Sequence, residues 1–170
     1  MLKIAGILAA AGLLLGACAE QRMAASTWIE ENLPQERYQA AVKAEPMGST
    51  FNRQLYYGYI KLAEDERAEY DWADSRHFAN KALAAAENQD VSPDALYDRS
   101  IPADNLDEFT AARRDLVSLL ERGARSKAPA DAARAQVSFD CWIQEQEENH
   151  QPEDIAACRD GFYGAIGRVQ

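Results

Sequence analysis

The sequence predicts an all-α chain built from antiparallel helical hairpins. Three observations predict it. Apolar residues recur at spacings of three and four along most of the chain, which is the repeat of a helix face. No segment alternates apolar and polar residues over a length that suits a strand. Alanine is abundant, which favours helix formation and lets helices approach closely.

The chain opens on Met1-Leu2-Lys3, a short positive start, followed by an uncharged apolar run from Ile4 to Leu15. The run falls short of the roughly 20 residues that a bilayer span needs. It fits the apolar region of a secretory signal. Leu15-Gly16-Ala17-Cys18 then places a branched apolar residue and two small residues before a cysteine. This resembles the lipobox of bacterial lipoprotein signals. The resemblance implies cleavage after residue 17 and a lipid on Cys18, which becomes the first mature residue. Ala19 stands where an aspartate would imply retention at the inner membrane, so the same resemblance implies the outer membrane. The alternative is a secreted chain whose signal ends at a chance cysteine. Residues 1–17 are thus expected to be a signal peptide, 18–27 a lipidated tether, and 28–170 a single helical domain.

Trp28 to Ala44 reads as a weak helical stretch interrupted by Pro34. Glu45-Pro46-Met47-Gly48 is a breaker, and Ser49-Thr50 supplies a helix cap. From Phe51 to about Ala68, Phe51, Leu55, Tyr59 and Leu62 mark one face. Asp71 caps the next helix, over about Trp72 to Glu87, with Ser75, Phe78, Ala79, Ala82 and Ala86 inward. Ser92-Pro93-Asp94 reads as a cap with proline at the first helical position, starting a short turn through Tyr97. Ile101-Pro102-Ala103-Asp104 opens a long helix with Leu106, Phe109, Leu116 and Leu120 on its stripe. Gly123 and Lys127-Ala128-Pro129 end it. Pro129 begins a helix to about Glu148 with Ala133, Val137 and Cys141 in line. The last helix carries Ile155, Cys158, Phe162 and Ile166.

Secretion would place Cys141 and Cys158 in an oxidising compartment. With the hairpin turn centred near His150, both lie ~12–13 Å up antiparallel arms at 1.5 Å rise per residue. The two thiols are therefore at one height and on the apolar stripes, which predicts a disulfide. The alternative is two buried free thiols.

Tyr59, Leu62 and Ala63, followed by Asp71-Trp72, Ser75 and Lys81-Ala82-Leu83, resemble the helix pair of a tetratricopeptide repeat. Glu66 stands where that repeat has an aromatic, and no clean second copy follows. The resemblance implies one tetratricopeptide-like hairpin. A broader resemblance is carried by the lipobox, Tyr70-Asp71-Trp72-Ala73-Asp74, the run from Ala135 to Asn149, and Gln151 to Arg159. These look like the helical N-terminal region of alphaproteobacterial OmpA-family lipoproteins. That resemblance implies an envelope location. The peptidoglycan-binding domain of that family is not expected within these 170 residues, and none of its contact residues carries over.

Lys plus Arg number 18 and Asp plus Glu 28, for a formal charge of −10. That balance argues against nucleic acid and against basic attraction to anionic lipid. Glu145, Glu147, Glu148, Glu153 and Asp154 cluster about the last turn. They suit a cation or a basic partner, or else a solvated turn, which is the expectation adopted. His77 and His150 lack a histidine or cysteine at metal spacing, so no metal or cofactor is expected. No nucleophile elbow or phosphate loop is present, and a non-catalytic protein is expected. Tyr56, Tyr57, Trp72 and Trp142 are the candidate partner contacts, because aromatics are enriched at interfaces; the alternative, which carries more weight, is that they pack the core of a small helical domain. The expectation is a lipid-anchored interaction or scaffolding module with an envelope protein as partner. The alternative is a tether from outer membrane to peptidoglycan.

Overall fold

A computed structural model describes residues 35–169, and among these every regular element is helical. The signal segment, Cys18, the tether and Trp28 lie outside the described residues. Helix α1 covers residues 35–43, α2 Thr50–Ala68 and α3 Trp72–Ala86. Two short 3₁₀ turns, Leu96–Asp98 and Ala103–Asn105, lead into α4, Leu106–Leu119. A π turn over Leu120–Ala124 and a short α5, Arg125–Lys127, precede α6, Pro129–Glu148, and α7, Pro152–Val169.

The two expected caps form. The Ser49 side chain accepts from the Asn52 backbone N–H, and Asp71 accepts from those of Ala73 and Asp74. The helices α2 and α3 are an antiparallel hairpin. Asn52 at the start of α2 donates to Asn88 just past α3, while Ser75 near the start of α3 donates to the Ala63 carbonyl. The helices α6 and α7 form the second hairpin, joined by the Cys141–Cys158 disulfide with a Cα separation of 5.7 Å. Between the hairpins, α2 and α6 run in the same direction, since Tyr59 meets Asp140 and Glu66 meets Gln144. They cross closely at Gly58, where a Cβ would lie 2.6 Å from a Val137 methyl.

Phe109 of α4, Phe139 and Trp142 of α6 and Phe162 of α7 stack into one aromatic core. Gly123, at φ 92°, turns the chain between α4 and α6 in a conformation that L side chains rarely adopt.

Two expectations are corrected and a third is extended. Leu106 is exposed, because two 3₁₀ turns displace the start of α4 and leave the inward stripe to Phe109, Ala112 and Leu116. Ser92-Pro93-Asp94 does not cap a helix; Asp94 instead turns inward to charged partners from α3 and from Arg99, downstream in its own segment. The Ala133–Val137–Cys141 line is one side of a central helix. Helix α6 also buries Ala132, Ala135, Gln136, Phe139, Asp140, Trp142 and Ile143, since α2, α4 and α7 all pack against it.

Candidate functional site

Gln136, Asp140 and Gln144 lie four residues apart on α6 and therefore share one face. All three are buried against α2. The Tyr59 hydroxyl donates to Asp140 Oδ2 at 2.7 Å and accepts from Gln136 Nε2 at 3.0 Å. Burial and the neighbouring Asp140 hold the Tyr59 pKa well above its ordinary value. Lys81 of α3 donates to the same Asp140 oxygen at 2.6 Å and to the Ser92 carbonyl at 3.0 Å, and it pairs with Asp94.

This group clamps the segment between α3 and α4. The Asp94 backbone N–H donates to Asp140 Oδ1 at 2.8 Å, and Arg113 Nε donates to the Asp94 carbonyl at 2.7 Å. The Asp94 carboxylate also meets His77 Nε2 at 2.9 Å and Arg99 Nη2 at 3.0 Å. Burial opposes ionisation of Asp94. The His77 hydrogen bond and the Lys81 charge win, and hold its pKa well below the usual carboxylate range. Arg99 continues outward to Asp74 and Glu147. These charges are satisfied by one another, and their chemistry is that of a structural clamp.

The end of the bundle where α2 and α6 finish is acidic. A cleft of about 320 Å³ beside the disulfide is lined by Asp65, Glu66, Glu69, Glu145 and Asp154, among others. Glu66 is 3 % exposed and accepts from Gln144 Nε2 at 2.9 Å. Burial, with Glu148, Asp74, Glu145 and Asp71 nearby, pushes its pKa up to about 9. Burial, Asp154 and Glu148 push Glu145 to about 7. Carboxylate oxygens of Glu66, Asp71 and Glu148 all lie within 4.8 Å of one another. The turn acids are therefore not uniformly solvated: Glu145 is buried, Glu147 is held by Arg99 and the Ser100 N–H, and Glu153 and Asp154 are exposed.

A shallow groove of about 290 Å³ lies along the α2–α6 crossing, lined by Gln54, Tyr57, Gly58, Arg134, Val137 and Ser138. Tyr57 is 58 % exposed at its edge. Trp72 is half-buried and meets exposed Tyr70 edge-on at 5.9 Å between ring centroids. Tyr56 and Trp142 are corrected as contacts. Tyr56 is buried with its hydroxyl on the Ala41 and Ala44 carbonyls, and Trp142 is 1 % exposed inside the aromatic core. Sequence reasoning missed the clamp and the joining of Glu66 and Asp71 to the turn acids. The four-residue spacing of Gln136, Asp140 and Gln144 was a signal for the clamp, and Glu66, four residues after Leu62 on the inward stripe and in place of an aromatic, was a signal for a buried acid.

Comparison with protein-family models, curated proteins and solved structures gives no match.

Proposed function

We propose that this chain is a lipid-anchored cell-envelope protein whose helical body is a non-catalytic interaction module facing the periplasm. The observation that carries the reading is the register of Leu15-Gly16-Ala17-Cys18 behind an uncharged apolar run. Two acyl chains on Cys18 would supply the membrane affinity, at ~0.8 kcal/mol per buried CH₂. Among the described residues no helix is long and apolar enough to cross a membrane.

The body offers the α2–α6 groove as its contact surface. Tyr57 and Val137 supply apolar area, and Arg134 forms no ion pair among the described residues. A protein segment that lays an apolar side chain on Tyr57 and an acid on Arg134 matches this chemistry.

Labelling cells with an alkyne fatty acid tests the anchor. The wild-type chain takes up label and fractionates with membranes. Cys18→Ala loses the label and leaves the membrane fraction. Full labelling and membrane retention of Cys18→Ala would overturn the reading.

A further inference from the structure

The acidic end of the bundle has acceptors without donors. Glu66, Asp71 and Glu148 come from α2, the α2–α3 turn and α6, and converge within 4.8 Å. Gln144 is 1 % exposed; its amide nitrogen is used on Glu66, and its oxygen has no hydrogen-bond partner. Glu145, 9 % exposed, lines the adjoining cleft, and its Oε2 is likewise unpartnered. The exposed His150 lies 3.7 Å from Glu148, and the Arg99 guanidinium beside this end is held by Asp74, Glu147 and Asp94. The carboxyl ends of α2 and α6 both point here, and the partial negative charge of a helix C-terminus disfavours added acids. A buried oxygen without a donor, on a Gln144 side chain that touches Glu66, beside three converging carboxylates, suits a positive ligand.

We propose that this end binds a divalent cation of the calcium type, ligated by Glu66, Asp71 and Glu148 with the Gln144 amide oxygen as a neutral donor. The donor set is all oxygen, which suits a hard cation rather than zinc or copper. Calcium takes oxygens at about 2.3–2.6 Å, so ligands on opposite sides stand roughly 4.6–5.2 Å apart. Magnesium, at about 2.0–2.1 Å, needs a tighter cage and keeps more of its water. The site depends neither on the lipid at Cys18 nor on contact at Tyr57, so its failure would leave the proposed function untouched.

The test is calorimetric titration of the full-length, disulfide-bonded protein in detergent, stripped with chelator and returned to chelator-free buffer. Calcium chloride binds with one-to-one stoichiometry and a Kd of about 10⁻⁴–10⁻³ M, the range of extracellular calcium modules. Magnesium binds at least tenfold more weakly. Glu148→Gln, at a partly exposed position, lowers calcium affinity at least tenfold. Asp154→Asn, in the cleft wall but outside the ligand set, leaves it within twofold. Absence of binding up to about 10 mM calcium would overturn the proposal, given that range. So would unchanged affinity in Glu148→Gln, or magnesium bound as tightly as calcium.

Discussion

The Tyr59 hydroxyl donates to Asp140 Oδ2 across 2.7 Å, with both residues fully buried, and so ties the first hairpin to the second. The bond matters because the same carboxylate also neutralises Lys81 and holds the Asp94 backbone. Tyr59→Phe removes two hydrogen bonds, the one given to Asp140 and the one accepted from Gln136, and is expected to cost about 1–3 kcal/mol. Asp140→Ala leaves the Lys81 ammonium buried without that partner and is expected to cost about 3–5 kcal/mol. Urea unfolding of the two variants measures both; equal costs would contradict the ordering.

Stability depends on pH at both ends of the range. Asp94 has its pKa depressed in the folded chain, so its contribution is complete above its ordinary value of 3.8. That contribution is lost as pH falls through the lower folded value. Asp94→Asn removes this acid limb. Glu66 behaves oppositely, with a folded pKa of about 9 against 4.5. In chelator the folded state keeps a proton that the unfolded chain releases, so stability falls as pH rises between these values. Glu66→Gln flattens that limb. Thermal melts from pH 2 to about 9.5 read both slopes.

Reduction of Cys141–Cys158 releases a loop whose ends are 17 residues apart. A closed loop of that size contributes about 3 kcal/mol on the chain-entropy estimate. The denaturation midpoint is expected to drop when reductant is added, with helical circular dichroism retained in water. An unchanged midpoint would contradict a structural role for the bond.

Two helical glycines should respond with opposite signs. Gly58→Ala drives a methyl to 2.6 Å from Val137 and is expected to cost about 1–3 kcal/mol. Gly164→Ala meets just the end of the Arg168 side chain, at 3.6 Å, and is expected to gain about 0.5–1 kcal/mol in helix propensity. Melting temperatures of the two variants give the comparison directly.

Much of the fold is legible in the chain. Phe162 and Ile166 are inward as their spacing implies, the caps at Ser49 and Asp71 form, and Cys141 and Cys158 meet at equal height in their hairpin. Those features are local or depend on a single turn. What was not legible depends on which helices pack together. Asp94 has the sequence of a cap, and Lys81 and Asp140 outbid that role through contacts remote in sequence. Tyr56 has the look of a surface aromatic, but α1 covers it and accepts its hydroxyl. The turn acids read as solvated until the parallel alignment of α2 and α6 brings Glu66 beside Glu148.

Contact at the α2–α6 groove is the central functional claim, and site-specific photo-crosslinking in intact cells tests it most directly. A photoreactive residue replaces Tyr57 in one strain and Tyr97, which is 89 % exposed and outside the groove, in another. The predicted result is one discrete protein adduct from position 57, abolished by Arg134→Glu, and no such adduct from position 97. Equal adducts from both positions, or none from position 57, would contradict the claim.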